Sequence, residues 1–225
     1  FPYTTLFRSE VECEAVDAAG NWAVTRHGGI TVVDTTAPTL SVPGSLTVTA
    51  TSAAGAAVYY AVSATDLADP DPLVACSVAS GAVVPLGTTT VTCTATDASG
   101  NTAQRSFTVT VQVAWSGLAA PISVDGRAAF KSGSTIPVKF SLTGASAGAT
   151  GAPATLSVAK VGAAGGEESL TVLSTSAADS GNQFRVSSGQ YVYNLSTKGW
   201  GEGVYVLRVD LGDGVDRATQ ITVRR

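Results

Sequence analysis

Apolar and polar residues alternate with a period of two in several stretches of the first half of the chain. Leu, Val, Ala, Cys or Phe alternates mostly with Thr over residues 46–51, 91–96 and 107–113. A strict period of two, rich in β-branched residues, predicts strands that bury one face. No stretch has the 3.6-residue apolar spacing, with capping residues, of an amphipathic helix.

The second half of the chain carries the same pattern between tracts of small residues. The alternating runs are residues 138–142, 156–158, 205–211 and 221–223. Gly212-Asp213-Gly214 separates the last two runs and predicts a β-hairpin, because Gly tolerates positive φ. Tracts 144–153 and 162–181, rich in Ala, Gly and Ser, are predicted to be long loops. The sequence therefore predicts an all-β fold of immunoglobulin-like β-sandwich domains in tandem.

An internal repeat divides the chain into domains. Residues 11–21 realign on residues 91–101 at a shift of 80, with Cys, Ala, Asp, Gly and Asn in register. Such a spacing is typical of a domain array rather than of a solenoid, whose units have about 20–50 residues. We predict the last strands of a truncated repeat over 10–33, a complete repeat over 34–113 and a different domain over 114–225. Pro38 favours an extended chain where the complete repeat begins.

The first nine residues differ in composition from the Ala-, Thr- and Val-rich remainder. Residues 1–9, FPYTTLFRS, resemble the translated read-through of a sequencing adapter. They are therefore expected to be an artefact that is not part of a domain. Since the chain contains no Met, we expect it to be a fragment or a processed product of a longer protein.

Five short motifs are spread over the complete repeat. They are Asp34-Thr-Thr-Ala-Pro38, Ala64-Thr-Asp66, Cys76, Pro85-Leu-Gly-Thr-Thr-Thr-Val-Thr-Cys93 and Ala95-Thr-Asp-Ala-Ser-Gly-Asn101. Together they resemble the hyalin-repeat (HYR) domain over all of residues 34–113. That family often has a further Cys shortly after the Gly-Asn pair, where this chain has Gln104-Arg105. The resemblance implies a role in adhesion.

A second set of motifs lies in residues 130–225. Pro137-Val138-Lys139-Phe140 is followed by Tyr191-Val-Tyr-Asn-Leu-Ser-Thr-Lys198 and by Leu211-Gly-Asp-Gly214. This set resembles the bacterial C-terminal domains named for a Pro-x-Lys-Phe (PxKF) motif. The resemblance implies an immunoglobulin-like sandwich at the end of a secreted bacterial protein.

The charge of the chain narrows the classes of partner. Only 13% of the residues are charged, against about 25% in an average domain, and the net charge is −4. Binding a phosphate backbone needs clustered cations, so no nucleic-acid partner is expected. No stretch reaches the roughly 18 consecutive apolar residues of a membrane helix, so no transmembrane segment is expected.

The positions of the three cysteines predict one disulfide. Cys76 precedes the threonine-rich strand and Cys93 lies within it, about where a bridge would join neighbouring strands. We predict a disulfide rather than a metal site, because there are no His partners. Such a bridge persists in an oxidising compartment, which predicts an extracellular protein, secreted or on the cell surface. Cys13 is the equivalent of Cys93, and its partner is expected upstream of the fragment.

Asp17 and Asp97 each open an Asp-x-x-Gly-Asn turn. One interpretation is local, in which Asp binds backbone N–H groups, Gly takes a positive φ and Asn closes the turn. The other interpretation is a calcium site at the domain junctions, with Asp17, Asp34, Asp66 and Asp97 as ligands, since calcium binds six to eight hard oxygens. Both interpretations stay open, and no other cofactor is expected.

Aromatic residues of the C-terminal domain offer a candidate binding surface. Tyr191, Tyr193 and Trp200 could form a platform on which sugars stack, because the two tyrosines share one face of a strand. In the alternative interpretation, these aromatic side chains fill the sandwich core and form hydrogen bonds at its edge.

Patterns of catalytic residues are missing from the sequence. The single histidine, His27, has no Cys or Ser motif around it, and no phosphate-binding loop, His pair or Gly-x-Ser-x-Gly sequence occurs. The acids around the predicted hairpin turn, Asp210, Asp213 and Asp216, are interpreted as solvated. The chain is therefore predicted not to be an enzyme.

These observations predict a structural and adhesive role outside the cell. The chain would act as a stalk, or would present a surface to an extracellular protein or polysaccharide. The alternative function belongs to another class: accessory modules, with carbohydrate binding as one possibility, of a secreted hydrolase whose catalytic domain lies upstream of this fragment. Fold alone does not specify the partner.

Overall fold

The structure, a computed structural model, describes residues 8–31, 33–122 and 127–225. Within these ranges the helical element is one 3₁₀ turn, Gly144–Gly148, and no helix is long and apolar enough to cross a membrane. The strands of the first half are β1 (Arg8–Val16), β2 (Trp22–Thr31), β3 (Thr39–Ser41), β4 (Leu46–Thr49), β5 (Ala56–Ala57), β6 (Ser63–Thr65), β7 (Leu73–Cys76), β8 (Val83–Val84), β9 (Gly87–Thr96) and β10 (Thr102–Gln112). Those of the second half are β11 (Ala129–Lys131), β12 (Thr135–Ser141), β13 (Thr155–Val161), β14 (Glu167–Leu170), β15 (Arg185–Ser187), β16 (Gln190–Ser196), β17 (Gly203–Asp210) and β18 (Ala218–Arg224). The predicted all-β fold is confirmed, and its several sheets agree with β-sandwich domains in tandem.

The chain divides into two compact units. Unit 1 consists of Phe1–Pro43, Ala61–Val78 and Val91–Ser106, and unit 2 of Gly44–Tyr60, Ala79–Thr90 and Phe107–Arg225. Each unit thus contains segments of the domain predicted over 34–113. The predicted domain boundaries, after residues 33 and 113, stay a prediction.

Unit 1 begins with an antiparallel hairpin of β1 and β2, in which Cys13 stands opposite Thr25. Arg8 and Ser9, the end of the segment expected to be an artefact, pair with the last residues of β2. Residues 1–7 of that segment lie outside the described part of the chain.

Two further antiparallel pairs belong to unit 1. β3 pairs with β6, and β7 pairs with the second half of β9. Val91, Cys93 and Ala95 of β9 are fully buried, whereas the threonines between them are partly exposed. The alternation predicted for β9 is therefore confirmed, and its apolar face belongs to the core.

Unit 2 contains the first residues of β9 and the last residues of β10. β4 runs parallel to the end of β10, and β5 pairs with β8. Val109, Val111 and Val113 are buried, as the period of two predicts. The alternation predicted for residues 107–113 is therefore confirmed.

Residues 129–224 of unit 2 form two sheets. One has the strand order β11-β18-β17-β13-β14 and the other β12-β16-β15. Phe140 of β12 stacks on Tyr191 of β16, with ring centroids 4.7 Å apart, and Leu207 and Ile221 of the larger sheet are fully buried. Each sheet thus buries the apolar face that the alternation predicts.

The predicted hairpin between β17 and β18 is present, but the two predicted loops contain more structure than expected. Gly212 and Gly214 have φ values of +74° and +73°, and the two strands pair antiparallel. Tract 144–153 contains the 3₁₀ turn, whose Ser146 is fully buried. Tract 162–181 contains β14, which pairs with β13. Small side chains fit a packed interior as well as a linker, so composition alone did not distinguish the two.

Candidate functional site

The predicted disulfide is present in unit 1. Cys76, the last residue of β7, stands directly opposite Cys93 of β9. Their sulfur atoms are bonded and close a sequence separation of 17 residues. Since Cys93 is fully buried, the bridge joins two neighbouring strands at the core of the unit.

Cys13 differs from the bridged pair because it is exposed and unbonded among the described residues. We expect one thiol per chain to react with a thiol reagent in the native protein, and all three cysteines to react after denaturation with a reductant. The exposed Cys13 thiol is accessible to the reagent, whereas the other two sulfur atoms are consumed in the bridge. Colorimetric thiol titration measures both numbers. A Cys13→Ala variant should give no native reaction, and a native count of three would contradict the bridge.

The two Asp-x-x-Gly-Asn turns have the same structure. The Asn21 backbone N–H donates to Asp17 Oδ1 at 2.9 Å, and its side-chain amide donates to Oδ2 at 2.7 Å. Asn101 makes the same two contacts with Asp97, both at 2.8 Å. The glycine of each turn has positive φ, +82° and +89°, a conformation that other residues rarely adopt. Both turns therefore contain the contacts that the local interpretation predicts.

Hydrogen bonds keep the carboxylates of both turns ionised. The side-chain and backbone N–H groups of Asn21 hold the pKa of Asp17 below its ordinary value. At Asp97, burial raises the pKa, but the hydrogen bonds from Asn101 and the turn backbone outweigh burial and leave the pKa below its ordinary value. Both side chains therefore carry a negative charge at neutral pH.

Three of the four predicted calcium ligands lie together. Asp34, Asp66 and Asp97 each offer a carboxylate oxygen, and these oxygens lie within 4.8 Å of one another. Asp34 lies in the segment between β2 and β3, Asp66 directly follows β6, and Asp97 directly follows β9. Asp17, the fourth predicted ligand, does not belong to this group. We call these three side chains the carboxylate cluster.

Within the described ranges, the polar contacts around the carboxylate cluster leave one buried oxygen without a partner. The Asn101 side-chain amide donates to Asp97 Oδ2 at 2.8 Å and to the Asp34 carbonyl oxygen at 3.2 Å. Asp34 Oδ1 accepts the N–H of Thr36 at 3.0 Å. Asp34 Oδ2, however, is buried and has no hydrogen-bond partner in the described part of the chain. Both hydrogen bonds accepted by Asp66 go to its Oδ1.

The structure contradicts a sugar platform at Tyr191 and Tyr193. Tyr191 exposes 2% of its surface and Tyr193 exposes none, whereas stacking requires an accessible ring face. The Tyr191 ring packs on Phe140, and its hydroxyl donates to the carbonyl oxygen of Ala152 at 3.1 Å. Burial raises the pKa of both hydroxyls. The shared strand face is the core face, as the alternative interpretation predicted.

Trp200 keeps part of its surface accessible. It is half-buried and stacks on Tyr205, with ring centroids 4.5 Å apart and an interplanar angle of 18°. Its carbonyl oxygen accepts the hydroxyl of Ser132 at 2.6 Å. Of the three predicted sugar-binding residues, Trp200 is therefore the one that retains an accessible surface.

Unit 2 contains a buried ion pair that the sequence pattern does not predict. Asp213 and Arg217 expose 2% and 7% of their surfaces. Arg217 donates from Nη1 and Nη2 to the two carboxylate oxygens of Asp213, at 2.7 and 2.6 Å. The interpretation of Asp213 as a solvated acid is therefore wrong, although Asp210 and Asp216 are exposed as predicted. The four-residue spacing could have indicated the pair, but nothing in it indicates burial.

The pair binds the segment that follows β10. The Val113 N–H donates to Asp213 Oδ2 at 2.7 Å, and Arg217 Nη2 donates to the Val113 carbonyl oxygen at 3.0 Å. The Arg217 guanidinium also lies 5.5 Å from the ring of Trp115. Burial raises the pKa of Asp213, but the hydrogen bonds from Arg217, Val113 and Val215 outweigh it and lower the pKa below the ordinary 3.8.

Comparison with known protein families gives a match in the region of the predicted repeat. Residues 33–111 match the HYR domain. The resemblance predicted for 34–113 is thereby confirmed, and the HYR segment contains both the disulfide and the carboxylate cluster. The PxKF resemblance of residues 130–225 stays a prediction. No curated protein matches the chain.

The solved structures that the chain matches include three with low identities and low TM-scores. The eight N-terminal Ig domains of Down Syndrome Cell Adhesion Molecule align at 16% identity and a TM-score of 0.34, covering 96% of this chain and 28% of that one. The human Desmocollin-1 ectodomain aligns at 10% identity and a TM-score of 0.27, covering 96% and 47%. The Bacteroides ovatus protein SGBP-B, solved with a mixed-linkage heptasaccharide, aligns at 12% identity and a TM-score of 0.26, covering 84% and 48%. The chain spans less than half the length of each.

Proposed function

We propose that the chain is a non-catalytic extracellular module that acts as a stalk or presents a binding surface. The observation that carries this proposal is the HYR segment, 33–111, with the Cys76–Cys93 disulfide inside it. Disulfides persist in oxidising compartments, which supports a secreted or surface-displayed protein. Its partner is then an extracellular protein or polysaccharide, since a net charge of −4 does not favour nucleic acid.

Buried polar contacts in unit 2 support the stalk role. Val113, the last residue of the predicted repeat, exchanges hydrogen bonds with Asp213 and Arg217. Ser146, fully buried, donates its hydroxyl to the Ala50 carbonyl oxygen at 2.8 Å. Both contacts join residues from the two sides of the predicted boundary after residue 113. Buried hydrogen bonds and ion pairs hold the segments that they join in fixed positions, and a stalk needs joints that resist bending.

The stalk role is tested by pulling single 225-residue chains from their two ends. We expect discrete unfolding steps, because a load-bearing module stays folded until a cooperative unit breaks. Without reductant, the released length should fall short by about 60 Å, since the bridge retains 17 residues at about 3.5 Å each. Reductant should restore that length. Smooth extension without steps would contradict a load-bearing role.

The alternative, accessory modules of a secreted hydrolase with its catalytic domain upstream, is favoured by the accessible surface of Trp200. Under this alternative, the chain should co-sediment with insoluble cellulose or chitin, and Trp200→Ala should abolish the retention. Tyr59→Ala is a matched control, because Tyr59 is an aromatic residue with 77% of its surface exposed. Equal retention of both variants excludes a site at Trp200, and no retention of the unaltered chain excludes carbohydrate binding to these two polysaccharides.

A further inference from the structure

We propose that Asp34, Asp66 and Asp97 form a calcium site within the HYR segment. The three side chains come from segments far apart in the sequence, yet each places a carboxylate oxygen within 4.8 Å of the other two. Two oxygens bound to one calcium ion at about 2.4 Å cannot be farther apart than about 4.8 Å. The three carboxylates therefore meet the distance condition for contacting a single ion.

In the part of the chain that the structure describes, the carboxylate cluster has no ion-pair partner. Among the described residues, none of the salt bridges involves Asp34, Asp66 or Asp97. Asp97 exposes 5% of its surface, so water screens its charge poorly. Like charges at this separation repel one another, and burial strengthens the repulsion. A bound cation would replace that repulsion with attraction.

The buried Oδ2 of Asp34 is an independent observation that points to a ligand. This oxygen has no hydrogen-bond partner in the described ranges, and a buried acceptor without a partner is costly. Its neighbour Oδ1 is oriented by the N–H of Thr36, so the orientation of the carboxylate is set by its own turn. A metal ion is a partner that would satisfy this oxygen without a new donor from the chain.

Contacts already present hold the segments of the site together. The Asn101 amide joins Asp97 Oδ2 to the backbone of Asp34. Two backbone N–H groups, those of Ala68 and Asp69, bind Asp66 Oδ1 at 2.8 and 3.1 Å. The ligands are thus positioned before an ion arrives, which lowers the entropy cost of binding.

The donor set favours calcium over other biological metals. All the side chains are carboxylates, which suit hard cations, whereas zinc sites are built mainly from Cys and His. Magnesium demands near-ideal octahedral geometry at 2.0–2.1 Å, while calcium accepts irregular oxygen sites. Backbone carbonyls and water would complete the coordination. Extracellular calcium modules bind with dissociation constants of about 10⁻⁴–10⁻³ M, and we expect an affinity in or near that range.

Calcium would tie the segment between β2 and β3 to the rest of the repeat. Asp34 belongs to this connecting segment, whereas Asp66 and Asp97 follow strands of the repeat itself. An ion shared by the three therefore restrains the segment through which the HYR segment joins the β1–β2 hairpin. This consequence does not depend on the stalk role, because it concerns metal binding alone.

The proposal is tested by thermal unfolding of the 225-residue chain in calcium and in chelator at equal ionic strength. At a calcium concentration about 100-fold above the dissociation constant, we expect the melting temperature to rise by about 5–10 °C. Isothermal titration calorimetry should give one site per chain. In chelator, the chain should keep the circular dichroism spectrum of a β-sheet protein, which distinguishes loss of calcium binding from loss of fold.

Two variants with a matched control locate the site. Asp34→Asn and Asp66→Asn should each abolish the calcium-dependent shift, and in chelator each should melt at or above the unaltered chain, because one repelling charge is gone. Asp17→Asn is the control, because Asp17 occupies the same kind of turn as Asp97 outside the carboxylate cluster. It should keep the full calcium-dependent shift.

Three results would overturn the proposal. The first is the same melting temperature of the unaltered chain in calcium and in chelator. The second is a calcium-dependent shift that survives both Asp34→Asn and Asp66→Asn. The third is an equal shift with magnesium at the same concentration, which would indicate general screening of acidic groups rather than a calcium site.

Discussion

Replacing Asp213 with Ala is expected to lower the free energy of unfolding by about 3–5 kcal/mol. The variant leaves the Arg217 guanidinium, which exposes 7% of its surface, buried without its carboxylate partner. It also removes the acceptor of the Val113 N–H. Urea unfolding measures the change, and the Trp115 ring, 5.5 Å from the guanidinium, supplies a fluorescence signal close to the site.

The control for this variant lies in the same loop. Asp216 is exposed and contacts Arg208 at 3.6 Å, so Asp216→Ala should change stability by at most about 1 kcal/mol. Adding Arg217→Met to Asp213→Ala should recover part of the lost stability, because no unpaired charge is then buried. If Asp213→Ala lowers the free energy of unfolding no more than Asp216→Ala does, the buried ion pair does not stabilise unit 2.

The ion pair also predicts a loss of stability in acid. Folding lowers the pKa of Asp213 below 3.8, so the unfolded chain takes up its proton at a higher pH than the folded chain. The stabilisation is therefore fully present above the unfolded-state pKa and is lost as the pH falls through the folded-state pKa. Between about pH 5 and pH 2, the free energy of unfolding, measured with urea, should fall less for Asp213→Ala than for the unaltered chain.

The Cys76→Ala/Cys93→Ala double variant is expected to be less stable by about 3 kcal/mol. The bridge closes a separation of 17 residues, and a closed loop of that length restricts the unfolded chain by about this free energy. Because Cys93 is fully buried, the lost sulfur atom also removes packing contacts. Urea unfolding without reductant measures the difference between the two proteins.

Two controls distinguish the effect of losing the bridge from the effect of replacing a cysteine side chain. Cys13→Ala removes an exposed, unbonded thiol and should leave stability unchanged within about 0.5 kcal/mol. Reductant should destabilise the unaltered chain but not the double variant. Equal stability of the double variant and the unaltered chain would contradict a stabilising role for the bridge.

Features with local causes could be predicted from the sequence. The period of two identified β9 and β10, because side chains alternate between the two faces of a strand. The Gly-Asp-Gly turn identified the hairpin between β17 and β18, because each glycine adopts positive φ. Cys76 and Cys93 were paired because neighbouring strands bring such positions together. Each of these inferences uses residues that lie close together in the sequence.

Burial was the property that composition and periodicity predicted least well. Tyr191 and Tyr193 were correctly placed on one face, but that face points into the core. Asp213 lies between two glycines in a turn whose sequence is typical of exposed turns, yet it is buried with Arg217. A strand pattern separates two faces, but the packing of other elements decides which face water reaches.

Local residue order was enough to define the all-β class, the alternating strands, the two matching Asp-x-x-Gly-Asn turns and the HYR resemblance, because these depend on short-range backbone and side-chain preferences. The carboxylate cluster is different. Asp34, Asp66 and Asp97 were proposed together with Asp17, and tertiary structure alone brought three of them within 4.8 Å while leaving Asp17 apart. Strand pairing and loop packing determine distances between residues remote in sequence, so the folded chain decided which acids share a site.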